Sequence, residues 1–315
     1  MPPTLVILNP HAGSGRAGRL WAAVEPTLRS GLGDLELVIT QQPHDVDETL
    51  ERAIAGGLER VIAIGGDGTN NSLVNALAAF HDRHPDTSLP VFGTLPVGTG
   101  RDWARSAGIP FDLQTAARWI ATAQPSPTDI GLLLCDGQPR YFLNIASAGL
   151  SGEVDRRVNS VRSRRPWTFL VATIATIISY QPAPMRVSLD GQLWREGSTY
   201  VVAVANGTTF GHGMAFAPDA SMNDGLFDVV LVEAMSRVKA LAALRKVYDG
   251  SHLSVAGVHH RRAASVEIAG SSPIDLDLDG EHAAGQHLVF SMRPGFLRVL
   301  LPARDELSPA PPASR

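Results

Sequence analysis

The chain has 315 residues, of which 44% are hydrophobic and 18% charged, and its net charge is −4. This length accommodates two domains with their own cores, and the composition is ordinary for a soluble globular protein. The mildly acidic balance excludes the overall basic field of a nucleic-acid-binding protein, so we expect no nucleic-acid partner. The single cysteine, Cys135, excludes an intramolecular disulfide, and its apolar neighbours predict a buried, inert thiol.

The N-terminus and the longest apolar run bear on localisation. The first residues, MPPTLVILNP, lack the basic region and the long apolar stretch of a signal peptide. The longest apolar run, residues 167–180, is shorter than the roughly 20 residues that span a bilayer. We therefore expect a cytoplasmic protein that contacts a membrane only at its surface, with a disordered tail at residues 306–315.

Short apolar strands and helical segments alternate through the first 125 residues. Strands are predicted at Thr4–Leu8 and at residues 35–40, 61–64 and 91–95, and helices at residues 16–29, at Asp45–Ala55 and after residue 69. This alternation predicts a doubly wound parallel sheet that is covered on both faces. Because such sheets bind ligands at the carboxyl ends of their strands, the loops that follow strands are the candidate binding elements.

The loop at residues 65–69, with the sequence GGDGT, follows one of these strands and leads into a helix. Unpaired backbone N–H groups and the helix dipole make such a turn an anion site, and glycine removes the Cβ atoms that would hold a phosphate away. Asp67 would repel phosphate unless a cation or a proton transfer lies between them, which indicates Mg²⁺ with a nucleotide or acid–base chemistry. The alternative is a plain turn in which Asp67 makes only local hydrogen bonds.

Three further segments follow predicted strands and should share one rim with this loop: residues 9–15, Thr40 and residues 96–102. Two of the three are rich in glycine, and the last ends in Asp102. The sequence has neither a Walker-type loop nor a G-x-G-x-x-G motif. Several small-residue loops on one edge favour a nucleotide site over a set of plain turns.

Taken in order, these motifs resemble the catalytic domain of diacylglycerol kinases. The resemblance is carried by Asn9-Pro10 with Gly13, by the GGDGT loop, and by Pro96-x-Gly-Thr followed by Asp102 and Ala104-Arg105. Sphingosine, ceramide and bacterial lipid kinases share this domain, and NAD kinases and phosphofructokinases have a similar loop. The family usually has Asn immediately before the Asp, whereas this chain has Arg101.

The pattern changes after the prolines at residues 125 and 127. Strands are predicted at residues 129–135, 141–146, 185–189 and 200–206 and at Phe227–Glu233, and Asp136-Gly137 and Asp190-Gly191 have the composition of hairpin turns. Many strands and few helices predict an antiparallel sandwich, which matches the family's second domain. We therefore expect an NAD kinase/phosphofructokinase-like nucleotide-binding α/β domain at 1–125, a β-sandwich lipid-substrate domain at 126–290, and a closing segment at 291–305 that could return to the first domain.

Two acidic segments of the second half carry further expectations. Residues 221–228 place oxygen donors in a tight loop, and the residues alone favour a plain turn. The resemblance instead implies a structural Mg²⁺ bound through Ser221, Asp224 and Leu226. In the segment DLDLDGE, at residues 275–281, alternation predicts a solvated strand face that carries the Asp side chains. The resemblance implies that Glu281 is the general base.

Residues 155–180 combine basic and apolar character. Five arginines occur here without an intervening acid: Arg156, Arg157, Arg162, Arg164 and Arg165. They favour contact with an anionic membrane surface. The apolar run that follows, residues 167–180, is interpreted as a core helix.

The resemblance as a whole implies an ATP-dependent lipid kinase that uses Mg²⁺, with diacylglycerol as the favoured acceptor and phosphatidic acid as the product. Asp67, Asp102 and Glu281 are the implied catalytic residues. The implied nucleotide-binding residues are Asn9, Thr40, Gly65, Gly66, Asp67, Gly68, Thr69, Asn70, Asn71 and Thr99. Two alternatives stay open: a kinase of a soluble substrate such as NAD, and a catalytically idle, membrane-associated nucleotide-binding protein. The sequence leaves the identity of the lipid and the oligomeric state open.

Overall fold

The structure is a computed structural model that describes residues 4–40, 45–98, 100–159 and 167–301. The first domain is built on four parallel strands, β1 (Thr4–Leu8), β2 (Leu35–Ile39), β3 (Arg60–Gly65) and β4 (Val91–Pro96), in the order β4-β3-β1-β2. Every residue of β1 is buried, as expected for a strand covered on both faces. The predicted doubly wound parallel sheet is confirmed.

Five helices cover this sheet: α1 (Ala12–Leu32), α2 (Asp45–Ala55), α3 (Asp67–Arg83), α4 (Asp102–Ser106) and α5 (Leu113–Ile120). One apolar core lies between the sheet and α2 and α3, and a second lies between the sheet and α1 and α5. The apolar positions of α3 bury Leu73, Val74 and Leu77 in the first core. Because α1, α3 and α4 all start just after the sheet's carboxyl edge, their N-termini meet on one rim.

The second domain is mainly antiparallel, as predicted. Its strands are β5 (Gln124–Cys135), β6 (Gln138–Phe142), β7 (Ile145–Gly149), β8 (Ala183–Leu189), β9 (Gln192–Ala205), β10 (Phe227–Glu233), β11 (Val258–Ala263), β12 (Ser265–Leu278) and β13 (Glu281–Leu301). Its helices are α6 (Leu150–Asn159), α7 (Thr168–Ser179) and α8 (Arg237–Val247), with a 3₁₀ turn at Ser251–Ser254. The strands enclose an apolar core in which the rings of Phe142 and Phe227 stack at 5.7 Å. Within the described ranges, no helix combines the length and the apolar character that crossing a bilayer needs.

Both predicted hairpin turns form. Asp136-Gly137 and Asp190-Gly191 connect β5 to β6 and β8 to β9, and all four residues have positive φ, as a tight hairpin requires. The predicted single strand at residues 141–146 is wrong, because the chain divides it into β6 and β7. The backbone turns there to donate three N–H groups to the carboxylate of Asp279, at 2.6 Å from Leu143, 3.0 Å from Asn144 and 3.0 Å from Ile145.

Strands β5 and β13 join the two domains. They pair from Cys135 opposite Leu288 to Gln124 opposite Leu301, and β13 also lies parallel to β4, with Val299 opposite Phe92. The end of β13 thus lies beside a strand of the first domain, and residues 302–305 lie outside the described residues. The division into domains, with a closing segment at 291–305, stays a prediction. The proposed division at residue 125 falls within β5, where prolines are tolerated because β6 covers only the distal half of that strand.

Candidate active site

A cleft of about 690 Å³ lies between the two domains, at the carboxyl ends of the parallel strands. The first domain contributes Asn9, Gly13, Thr40, the loop residues Gly66, Asp67, Gly68 and Thr69, and Asp102. The second domain contributes Asn144, Asp155, Phe169, His212, Asp277, Asp279 and Glu281. Loops that are distant in sequence therefore meet on one rim, as the alternation of strands and helices predicts.

The floor of the cleft is a glycine contact at the start of α3. Gly66 is the N-cap of α3 and has no side chain to cap the helix, so the first N–H groups of the helix face the cleft. Gly98 packs on Gly66 so closely that a Cβ atom added to Gly98 would lie 2.6 Å from the Cα atom of Gly66. The N-terminus of α1, which begins after His11, also lacks a side-chain cap. Two open helix N-termini and an unobstructed glycine floor suit a polyphosphate.

Asp67 is the partly buried carboxylate of this floor. It accepts hydrogen bonds from the backbone N–H of Asp102, at 3.2 Å, and of Trp103, at 3.3 Å. Burial, and next the negative charge of Asp102, raise the pKa of Asp67 to about 7. A carboxylate in this position is stabilised by a proton or a cation, so the donor set fits Mg²⁺ held together with phosphate oxygens.

Asp102 links the first domain to a loop of the second. Its two carboxylate oxygens accept the backbone N–H groups of His212, at 2.8 Å, and of Gly213, at 2.7 Å. The preceding residue, Arg101, has a left-handed backbone, and its guanidinium lies over the ring of Phe111 at 4.5 Å. The Arg101 side chain therefore packs on Phe111, while Asp102 itself faces the cleft.

Glu281 reaches the same floor from the second domain. It is the first residue of β13, directly after the tight turn Asp279-Gly280, in which both residues have positive φ. A Cβ atom added to Gly68 would lie 2.8 Å from Oε1 of Glu281, so this carboxylate lies against the first turn of α3. The general-base candidate and the anion loop therefore face each other across the cleft.

The prediction that the Asp side chains of residues 275–281 face solvent is wrong for Asp277 and Asp279. Asp277 is buried, and Asp279 is the acceptor of the three N–H groups of β7 and its approach, with Asn71 donating from α3 at 3.3 Å. Burial raises the pKa of Asp279, although these hydrogen bonds oppose the shift. Alternation correctly placed the Asp side chains on one face, but the loop at residues 143–145 and α6 cover that face.

The remaining predicted nucleotide ligands divide into two groups. Asn9 and Thr40 line the cleft, and Nδ2 of Asn9 donates to Oγ1 of Thr69 at 3.2 Å. Asn70 instead lies in the core, where its Oδ1 accepts the hydroxyl of Thr94 at 2.8 Å, and Asn71 bridges the domains through Asp279. Gly65 ends β3 and supports the loop from beneath, and Thr99 lies outside the described residues.

Two acidic residues of the cleft were not predicted as site residues. Asp155 of α6 and Asp277 of β12 are both buried in its wall, and burial, followed by the charge of Asp155, raises the pKa of Asp277. The available signal was the helical spacing of Leu150, Val154 and Val158, because Asp155 falls on the inward side with these apolar residues.

A second cavity, which we call the apolar chamber, adjoins the cleft. It has a volume of about 100 Å³, lies between α6, α7, α8 and the sheet, and is lined almost entirely by apolar side chains. Phe169, Phe210 and Asp277 line both the chamber and the cleft. An apolar space therefore opens beside the polar site at Asp277.

The loop proposed to bind a structural Mg²⁺ is held by protein groups. The carboxylate of Asp224 pairs with Arg262 and accepts the N–H of Leu226 at 3.1 Å, and the hydroxyl of Ser221 donates to Asn223 at 3.1 Å. Among the residues that the structure describes, no three His, Cys, Asp or Glu side chains are grouped as a metal site. The three-residue metal site stays a prediction.

Comparison with known proteins defines the class of this site. Residues 3–133 match the diacylglycerol kinase catalytic domain, and residues 144–301 match the YegS C-terminal NAD kinase beta sandwich-like domain. A crystal structure of a diacylglycerol kinase from Bacillus anthracis superposes with a TM-score of 0.71 at 21% identity, covering 96% of this chain and 97% of that chain, and so has the same fold.

Two relatives extend the similarity over nearly the whole chain. A protein of Xanthomonas euvesicatoria named "Probable lipid kinase YegS-like" is 30% identical over 284 residues, which is 89% of this chain and 91% of that protein. A diacylglycerol kinase of Mycobacterium tuberculosis is 27% identical over 299 residues, or 94% of each chain. This chain therefore belongs to the diacylglycerol kinase catalytic-domain family, in the branch that carries a YegS-type second domain.

Proposed function

We propose that this protein is an ATP-dependent lipid kinase that transfers the γ-phosphate of ATP to a lipid hydroxyl, with diacylglycerol as the favoured acceptor and phosphatidic acid as the product. The observation that carries the proposal is the position of Glu281. Its carboxylate, from the second domain, lies against Gly68 at the open N-terminus of α3, and Gly68 directly follows Asp67 in the chain. A proton acceptor and an anion site thus face one space, as phosphoryl transfer to an alcohol requires.

The first domain would hold the nucleotide. Asn9, Thr40 and the loop from Gly66 to Thr69 line the cleft, and Thr99 is proposed as a further ligand from its position in the sequence. Asp67 would hold Mg²⁺, which neutralises charge on the phosphate oxygens. This assignment agrees with the raised pKa of Asp67, since a nearby cation removes the electrostatic cost of its charge.

The chemical step assigns one task to each carboxylate. The acceptor hydroxyl forms a bond to the γ-phosphorus while the bond from that phosphorus to the β–γ bridging oxygen breaks, and ADP leaves. The hydroxyl proton passes to Glu281. Asp67 orients the transferred group, and Asp102 is a positioning residue that holds Asp67 through its backbone N–H and the second domain through His212 and Gly213.

The apolar chamber supports a lipid over a soluble acceptor. It adjoins the cleft at Asp277 and has an almost wholly apolar lining, which suits part of an acyl chain and not a nucleotide. A lipid hydroxyl beside Glu281 and an apolar tail directed into the chamber would use both cavities. Peripheral membrane association is part of the proposal, because the acceptor resides in a bilayer.

The substitution Glu281→Gln tests the assignment of the base. With labelled ATP and diacylglycerol in mixed micelles, we expect turnover to fall about 100-fold or more, since general bases contribute on the order of 10²–10⁴. ATP affinity should change little. Glu267→Gln is the matched control, because Glu267 lies on β12 of the same hairpin with its side chain about half exposed. Unchanged turnover in Glu281→Gln would remove Glu281 as the base.

A further inference from the structure

Helix α7 carries apolar side chains on its exposed side as well as on its covered side. Its inward residues include Thr173 and Thr176, which are buried and donate their hydroxyls to carbonyls four residues earlier, at 2.9 and 2.8 Å. Its outward face carries large apolar side chains whose exposed fractions range from 36% to 57%: Trp167, Leu170, Val171, Ile174 and Ile178. The predicted core helix at residues 167–180 is correct for the covered side, where Ile177 is buried in the core and Phe169 packs against it. It is wrong for the opposite side, whose apolar residues face away from the protein.

The exposed residues form one continuous stripe. Their spacing of three and four residues places them along a single face of α7, over roughly 16 Å at 1.5 Å per residue. A helix that faced only water would carry polar residues there. Contiguous apolar surface of this kind marks a site of interaction.

The two helices that pack against α7, which are α6 and α8, both carry exposed basic side chains. At the end of α6, Arg157 donates a hydrogen bond of 2.8 Å to the hydroxyl of Ser179, in the last turn of α7. Arg157 and exposed Arg156 both form ion pairs with Glu153, so this group contains two positive charges and one negative charge. On the other side, α8 packs against α7 and contains no acidic residue. Four exposed basic residues lie on α8: Arg237, Lys239, Arg245 and Lys246.

The apolar stripe and the basic residues near it indicate which kind of partner binds this surface. An apolar strip on a helix whose neighbouring helices carry exposed cations suits the interface of an anionic bilayer, where apolar side chains enter the acyl boundary and cations meet the headgroups. A second copy of the chain docked face to face would bring the exposed cations of both copies together. Arg162, Arg164 and Arg165, for which the sequence predicts membrane contact, lie outside the described residues.

The inward face of α7 connects this stripe to the lipid site. Phe169 lines both the cleft and the apolar chamber, and its ring lies 5.1 Å from that of His212. We infer that α7 is an interfacial helix that docks this protein on anionic membranes through residues 167–178, so that the acceptor passes from the bilayer directly to the cleft. This inference rests on the proposed function for its purpose, but the docking itself can be measured without catalysis.

Vesicle sedimentation tests the docking. Wild-type protein should co-sediment with vesicles of phosphatidylglycerol and phosphatidylcholine, more weakly with phosphatidylcholine alone, and less at high salt. The triple substitution V171S/I174S/I178S should weaken binding at least tenfold while circular dichroism and thermal midpoint show an intact fold. Leu193→Ser is the matched control, since Leu193 is an equally exposed apolar residue on β9, and it should bind like wild type.

Charge is tested separately. The double substitution R245Q/K246Q should weaken binding to anionic vesicles by roughly fivefold for each cation removed, the equivalent of about 1 kcal/mol each. Vesicle binding by the triple variant that equals the wild type would overturn the inference. So would a wild-type protein that ignores vesicles and forms a dimer that the triple substitution disrupts. Tight vesicle binding without any lipid phosphorylation would leave the docking standing and contradict the proposed function instead.

Discussion

Asp67 is a residue whose position costs stability in the absence of a cation. It is partly buried near the carboxylate of Asp102, and among the described residues two backbone N–H groups donate to it, from Asp102 and Trp103. Active sites commonly hold such unfavourable groups, because the bound substrate or metal supplies the missing partner. The glycines around Asp67 have a related role, since Gly66 and Gly98 leave no room for a side chain at the floor of the cleft.

The pH dependence of stability reports on Asp67. Because its pKa is raised from 3.8 to about 7, the folded protein holds the proton more tightly than the unfolded chain. The contribution of the protonated group is complete below pH 3.8 and is lost as pH rises through about 7, by up to about 4 kcal/mol. In EDTA, Asp67→Asn should therefore be more stable than wild type at pH 8, with a smaller difference at pH 5, as measured by urea unfolding.

Asp86→Asn provides the comparison for this experiment, because Asp86 is exposed in the turn after α3. Its effect on the free energy of unfolding should be small and the same at both pH values. A pH-independent effect of Asp67→Asn would show that its charge is not strained in the fold.

The hairpin of β12 and β13 is the element that builds the site. Asp279 in its turn fastens the hairpin to the approach to β7 through three N–H groups and to α3 through Asn71, and the next strand begins with Glu281. The residue with the proposed chemical task is thus positioned by a neighbour whose task is structural. The same bonds explain why residues 141–146 form two strands.

Removal of the Asp279 carboxylate should destabilise the fold markedly. Asp279→Ala leaves buried N–H groups without an acceptor, and we expect a loss of about 2–4 kcal/mol in the free energy of unfolding. Asp275 lies four residues earlier, on β12, in a partly exposed pair with His282, and Asp275→Ala should cost less than about 1 kcal/mol. Equal losses in the two variants, measured by urea unfolding, would contradict the role assigned to Asp279.

At the scale of the whole molecule, the long antiparallel pair of β5 and β13 connects the sheets of the two domains. The ladder begins in the sandwich and ends beside β4 in the first domain. Leu297 of β13 is fully buried in the first domain's core. The geometry of the cleft therefore depends on β5 and β13, which take part in the sheets of both domains.

A common unfolding transition follows from this pairing. Calorimetry should show one transition, and Leu297→Ala should lower it as a whole, with a loss of about 2–5 kcal/mol from the cavity created. Hydrogen exchange in β1 and in β9 should accelerate together. Separate melting of the first domain in this variant, with β9 still protected, would show that the domains unfold independently.

The sequence pattern predicted that the loops of the first domain lie together at the cleft. Asn9, Asp67 and Asp102 follow parallel strands, and the alternation of strands and helices brings all such loops to one edge. Asp155 and Asp277 were not assigned to the site from the sequence, because their burial depends on α6 covering β12, a contact between segments more than 100 residues apart. The outward apolar face of α7 escaped notice for a related reason, since hydrophobicity alone does not tell which side of a helix is covered.

Transfer of labelled γ-phosphate to lipid tests the central claim most directly. Wild-type protein is incubated with γ-labelled ATP, Mg²⁺, a bacterial lipid extract and NAD, and the lipid and aqueous phases are then separated. We predict that the label appears in a lipid product. The labelled lipid should also form when diacylglycerol is the only acceptor, and it should be absent with the variants Asp67→Ala and Glu281→Gln. Label in NAD alone, or no labelled lipid from any acceptor while ATP binds, would contradict the assignment as a lipid kinase.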